Sequence, residues 1–257
     1  MKNDLFNLSG KTALVTGGGR GIGLGIAKGL AQYGADIALV SRTSEQLDQA
    51  AAMIHSETDG VAETFPYDLS NVDGIDALFD EIATETGGVD ILVNCAGTTI
   101  RGPAEEVDLE TWKQVQDVNL TSVLCLSQQF CKHCKHNNKP GRIINIGSLI
   151  CYAARPTTAA YAASKCGVIG LTRTLAVEWA KYNITVNAIG PGYIATELTK
   201  PLYTDEEFDK WVLSKTPLGR WGSPEDFAGT AVLLASKAGQ FITGQTINID
   251  GGWLAQL

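Results

Sequence analysis

The stretch Thr16-Gly17-Gly18-Gly19-Arg20-Gly21-Ile22-Gly23 (TGGGRGIG) decides how the chain is read. Before it stands KTALVT (11–16), an apolar run of the length and β-branching of a buried strand. After it, residues 21–33 space their apolar side chains as a helix does. Strand, glycine-rich turn and helix together make a corner that binds anions. The glycines permit the turn and let backbone N–H groups approach a pyrophosphate at the helix N-terminus. The spacing is T-G-x-x-x-G-x-G, and no register satisfies the commoner G-x-G-x-x-G. A glycine-rich turn alone can be structural punctuation; its place between strand and helix points to a dinucleotide.

The same alternation continues outward. Strands are expected at 36–40, 61–67, 89–93, 142–146, 184–188 and 246–249. Helices are expected after Ser44 as cap, at 71–86, at 109–135 as one or two pieces, at 159–181, at 208–213 and after Ser223. Strand then helix, repeated, implies an α/β fold: a single doubly wound domain over 1–257, Rossmann-type, with a seven-stranded parallel sheet flanked by helices. Ligands of such a sheet bind at the carboxyl ends of its strands.

Composition narrows the function. Of 257 residues 44% are apolar and 19% charged, so a large core can form. Twenty-eight acids against 20 Lys and Arg leave a net charge of −8, which disfavours nucleic acid as a partner. No run approaches the roughly 20 apolar residues of a membrane helix. The opening MKNDLFNLSGK lacks the apolar core of a signal peptide, so a cytoplasmic protein is expected. Six cysteines then read as free thiols. Cys131, His133, Cys134 and His136 crowd one helical end, either as a zinc or redox site or as a fraying amphipathic helix. No second ligand pair accompanies them and the pair ends a helix rather than starting one, so no metal is expected.

Chemistry-bearing residues follow the strands. Asn94-Cys95-Ala96-Gly97 after the fourth offers small residues against which a ring or ribose can lie. Ser148 follows the fifth, and thirteen residues later come Tyr161 and Lys165, four apart on one helix face. An ammonium beside a phenol is expected to lower its pKa, so that Tyr161 can exchange a proton with a substrate hydroxyl that Ser148 orients. Taken alone, a Tyr–Lys pair could equally lie on a solvated face.

With these motifs in order, the chain resembles the short-chain dehydrogenases/reductases over essentially its whole length. The resemblance rests on TGGGRGIG, Asp68, NCAG at 94–97, Asn119, Ser148, YAASK at 161–165 and PG at 191–192. It implies a nicotinamide-dependent oxidoreductase and a homotetramer. It implies catalytic roles for Asn119 (holding a relay water), Ser148, Tyr161 and Lys165. It implies cofactor contacts from Gly17, Gly19, Arg20, Gly21, Ile22, Gly23, Ser41, Arg42, Asp68, Leu69, Asn94, Ala96, Gly97, Tyr161, Lys165, Pro191, Gly192, Ile194 and Thr196. Cys95 stands where a second Asn is more usual.

The end of the second strand reads Ser41-Arg42-Thr43, with no acid to take a ribose diol. Arg42 and Arg20 can meet a 2′-phosphate instead, so NADP(H) is expected over NAD(H). Residues 193–221 resemble the lid of gluconate 5-dehydrogenases and their polyol and sugar-acid relatives, with Gly190-Pro191-Gly192 as its hinge. Arg101, Ser148, Tyr161 and Tyr193 are the substrate candidates, with Tyr152, Arg155 and Lys200 as further polar groups. Arg101 is either a partner for a sugar carboxylate or a solvated loop cation. The substrate is expected to be a small polar molecule, a sugar acid or polyol. A 3-oxoacyl-thioester or broad carbonyl reductase, and a non-catalytic nucleotide-binding protein, are the alternatives.

Overall fold

The structure, a computed structural model, describes residues 5–58 and 60–256. Its strands are β1 (Thr12–Thr16), β2 (Asp36–Ser41), β3 (Ala62–Pro66), β4 (Ile91–Asn94), β5 (Gly141–Ile146), β6 (Ile184–Pro191) and β7 (Thr246–Ile249). They form one parallel sheet of order β3-β2-β1-β4-β5-β6-β7. Every residue of β1 and of β4 is buried, because helices cover both sheet faces. Two apolar clusters result. One joins Leu30, Ile37, Ile54 and Phe227; the other joins Leu14, Phe79, Phe130 and Val186 on the opposite face. The strand order reverses between β1 and β4, so the crevice at their carboxyl ends is where a ligand is held.

The helices are α1 (Gly21–Gln32), α2 (Ser44–Glu57), α3 (Ile75–Glu85), α4 (Leu109–Gln116), α5 (Ser122–Asn137), α6 (Ala159–Trp179), α7 (Lys200–Tyr203), α8 (Glu206–Lys215) and α9 (Ala228–Ala235). Three local details differ from the sequence reading. Thr43, not Ser44, occupies the cap of α2, and neither side chain caps it. Between α4 and α5 the chain makes a π-helical turn, Asp117–Thr121, which periodicity does not reveal. And α5 does not fray at its cysteines. It runs to Asn137 and ends on Asn138 in the left-handed conformation, with Cys131 and Cys134 buried. His133 packs edge-on to Phe79 and accepts the Val89 N–H at 3.2 Å. Burial pushes the Cys134 thiol up to about 12, far from a reactive thiolate.

The apolar side chains of α5 and α6 mostly face the core. Val123, Leu126 and Leu175 are buried; Val177, 81% exposed, is the clear surface residue among them. The Trp253 ring packs 4.8 Å from that of Tyr193. Leu257 lies outside the described residues.

Candidate active site

The glycine-rich turn links β1 to α1 as expected, and its glycines answer to contacts. A Cβ on Gly17 would meet the Ala96 backbone at 3.0 Å, and φ there is +66°. A Cβ on Gly23 would fall on the Gly17 carbonyl. Thr16 ties this turn to the next strand: its hydroxyl accepts the N–H groups of Cys95 (3.0 Å) and Ala96 (3.1 Å) and donates to Val93 O. That role was not read from the sequence.

A cleft of about 330 Å³ opens above this turn. Of the residues expected at a cofactor, all but Asn94 line it. Asn94 instead points into the core, donating to Asn145 Oδ1 at 2.8 Å and Ser127 Oγ at 3.3 Å, because alternate side chains of β4 face opposite sides of the sheet. Thr43, Gln46, Tyr67 and Ser70 also line the cleft and carry no motif that would have marked them. At its adenosine end Arg42 lies 4.0 Å from Asp68, and the Ser41 hydroxyl is buried without a hydrogen-bond partner. A hydroxyl donor beside an exposed arginine head, only loosely paired with Asp68, suits a phosphate, and the glycine cradle suits the pyrophosphate of the same dinucleotide.

At the other end stand the catalytic candidates. Ser148 caps the turn after β5, its Oγ accepting the Ile150 N–H at 3.2 Å. Tyr161 and Lys165 project from the first turns of α6. Lys165 is buried; its Nζ donates to Ile146 O at 2.8 Å and lies 5.9 Å from the centre of the Tyr161 ring. Burial pushes the Tyr161 phenol up, against smaller downward pulls from the Ser148 hydroxyl and the Arg101 charge. Burial likewise lowers Lys165. The expected depression of the phenol by the ammonium is not found here: desolvation dominates at Tyr161, and Lys165 bonds the backbone.

Asn119, fully buried, sits in the π-helical turn. Its Oδ1 accepts the Thr98 N–H at 2.8 Å, and its Nδ2 donates to Thr98 O and to Ser164 Oγ. It lines neither cavity; it clamps the Thr98 loop to α6. Ser164, which the sequence reading passed over, completes that clamp.

A second cavity of about 710 Å³ adjoins the first. Ser148, Tyr161, Pro191 and Gly192 line both, so the serine and phenol stand at the junction. Arg101, Arg155, Tyr193, Phe208, Trp211 and Trp253 line the second. Lys200 and Tyr152 do not; Lys200 pairs with Glu197 at 3.8 Å and Tyr152 is exposed.

That combination of cleft, serine, phenol and lysine matches a known group. A short-chain dehydrogenase family model, described as enoyl-(acyl carrier protein) reductase, matches residues 17–254. The chain belongs to the short-chain dehydrogenases/reductases. It is 44% identical over 253 residues to 2-dehydro-3-deoxy-D-gluconate 5-dehydrogenase of Escherichia coli (strain K12), covering 98% of each chain. It is 41% identical over 250 residues to gluconate 5-dehydrogenase of Gluconobacter oxydans (strain 621H), covering 97% of this chain and 96% of that one. A crystal structure of a gluconate 5-dehydrogenase from Burkholderia cenocepacia J2315, in complex with NADP and tartrate, superposes with a TM-score of 0.93 at 39% identity, covering 99% of each chain.

The segment 193–221 forms α7 and α8 and is packed in place. Tyr193 follows β6 and meets the rings of Phe208, Trp211 and Trp221 at 5.7–5.8 Å. Tyr193 O and Ala195 N bond Gly222, and Trp221 Nε1 donates to Asp209 at 2.7 Å. Gly190 and Pro191 belong to β6, paired with Asn248 and Ile249. A Cβ on Gly192 would meet Asp250 Cα at 2.7 Å, so these glycines serve close packing rather than pivoting.

Proposed function

We propose that this short-chain dehydrogenase/reductase is an NADP(H)-dependent oxidoreductase that interconverts a secondary alcohol and a ketone on a sugar acid. The observation that carries this reading is that Ser148 and Tyr161 line both the dinucleotide cleft and the larger cavity with its arginines. When bound, the nicotinamide cofactor supplies or accepts hydride. The residues around it do the rest. The glycine turn and the α1 N-terminus hold the pyrophosphate, Ser41, Arg42 and Arg20 hold the 2′-phosphate, and Asp68 and Leu69 border the adenine. Ser148 orients the substrate oxygen, and Tyr161 donates the proton to a forming alkoxide or takes it from an alcohol. Lys165 supports the phenol and a ribose hydroxyl; Asn119 fixes the Thr98 loop beside them. Arg101 and Tyr193 contact the substrate.

The relatives' names support the sugar-acid reading, and the bound NADP of the Burkholderia structure supports the cofactor. Among the described residues no helix is long and apolar enough to cross a membrane. We place the enzyme in the cytoplasm, as a homotetramer whose contacts include the exposed Val177, Leu109 and Phe241. Light scattering that found a stable monomer at micromolar concentration would remove the tetramer.

The deciding assay is turnover with a panel of aldonates, polyols and 3-oxoacyl thioesters, with each nicotinamide. A sugar acid with NADP(H) is expected to give the highest kcat/KM. Preference for a thioester or for NAD(H) would overturn the corresponding part of the reading.

A further inference from the structure

The larger cavity has an unusual charge inventory. Arg101 and Arg155 line it; no Asp, Glu, Asn or Gln does. Among the described residues neither arginine forms an ion pair. The phenols that share the wall, Tyr161 and Tyr193, are both pushed up by burial and stay uncharged, so they do not neutralise it. Two guanidinium groups therefore face one water-accessible space with no carboxylate of the described residues between them.

Their proximity is built into the fold. The Arg101 loop is tied to the Arg155 loop by Gly102 N–H donating to Thr157 O at 3.3 Å. Thr158 Oγ1 donates to Arg155 O at 2.8 Å, and Thr157 turns through a positive φ of 68°. Arg155 then places its guanidinium carbon 4.2 Å from the centre of the Phe208 ring, beside the Tyr193 hydroxyl, so an aromatic contact holds it at the cavity wall. Arg101 feels the result: desolvation and then the Arg155 charge both lower its pKa. Holding like charges together in a partly desolvated wall is costly, and an anionic ligand relieves it. Nearby, the Thr99 hydroxyl is buried at the cavity without a partner.

We infer that Arg155 and Arg101 together form the receptor for a substrate carboxylate, with Arg155 as the residue that decides between an acid and the corresponding neutral sugar. The inference rests on the sugar-acid reading above for its substrate, and on the cavity alone for its charge. A planar guanidinium offers two parallel N–H groups to a carboxylate. The Phe208, Trp211 and Trp253 rings supply an apolar wall for the C–H faces of the carbon chain.

The test reads binding separately from turnover. The NADPH complex is titrated with gluconate and with sorbitol, which has the same carbon chain without the carboxylate, following nicotinamide fluorescence. The wild type is expected to prefer gluconate by tenfold or more. In Arg155→Gln the gluconate-to-sorbitol preference is expected to fall by about ten- to a hundredfold, the worth of a charge-assisted contact. Arg155→Lys keeps the charge and loses the planar fork, so an intermediate loss is expected; it carries the test if the Gln variant fails to bind NADPH. In turnover, KM for 5-keto-D-gluconate should rise more than for fructose, with a smaller change in kcat. Equal losses for acid and neutral ligand would make Arg155 a packing residue only and overturn the inference, as would a wild type with no preference for gluconate. An enzyme that binds gluconate through Arg155 and turns over no sugar acid would instead overturn the activity reading and leave the receptor standing.

Discussion

Replacing Ser41 with Ala should move two measurements in opposite directions. In the structure Ser41 Oγ is buried at the adenosine end of the cleft and has no hydrogen-bond partner among the described residues. A buried unsatisfied hydroxyl costs about 1–3 kcal/mol. Ser41 lies at the partly exposed end of β2, so the lower end applies, about 1 kcal/mol. Removing it should raise the melting temperature of the cofactor-free protein by about 2–4 °C. With NADPH bound the same hydroxyl has a phosphate to meet, and a hydrogen bond to a charged group contributes about 1.5–3 kcal/mol. The Ser41→Ala variant should therefore bind NADPH about ten- to a hundredfold more weakly. NADH, lacking the 2′-phosphate, should bind within about twofold of wild type. Scanning fluorimetry of the apo protein and fluorescence titration with both dinucleotides give the three numbers. An unchanged NADPH-to-NADH ratio, or a less stable apo protein, would refute the assignment of this hydroxyl to the phosphate.

Tyr161→Phe should cut turnover by about 10²–10⁴ while NADPH still binds, because only the phenolic proton is lost; near-native turnover would end the mechanism proposed. Asp226 accepts from Arg220 at 2.7 and 2.8 Å, and this hydrogen bonding above all lowers its carboxyl from 3.8 to about 2. Between those values the unfolded chain binds the proton more tightly, so the stability the pair adds is present above about pH 4 and is lost as pH falls through about 2. Urea midpoints of wild type and Asp226→Asn should differ at pH 7 and converge in strong acid. Amide exchange across 206–215 should already be slow without ligands, since Tyr193 holds α8 through Phe208 and Trp211; large protection appearing only with cofactor and substrate would restore a mobile lid.

Much of this architecture could be read before any coordinates. Strands such as β1 and β4 are continuous apolar runs because they are buried on both faces, and the glycine turn names the switch point by itself. What escaped has identifiable causes. Asn94 sits in the expected motif, but a strand turns alternate residues to opposite faces, and one position decides between cleft and core. The depressed phenol expected of Tyr161 failed because a helical i,i+4 spacing says nothing of desolvation, which here acts on both partners. Glycines at 190 and 192 look permissive in sequence; only the structure shows Asn248 of β7 and Asp250 just after it leaving no room for a Cβ. The Arg155 loop could not be assigned because its partner loop lies some fifty residues earlier in the chain.

The ring of Tyr193 has a consequence for anyone who would re-engineer this enzyme. It joins a residue at the end of a sheet strand to α8, to Trp221 and to the C-terminal turn carrying Trp253. One wall of the larger cavity therefore joins Tyr193 and α8 to Trp253, which is remote from both in sequence. A chimera that imports α8 from another enzyme, with the native tail retained, would join two halves of different jigsaws. Transplanted specificity should arrive only when the helix, residue 221 and the last five residues travel together as one heritable module.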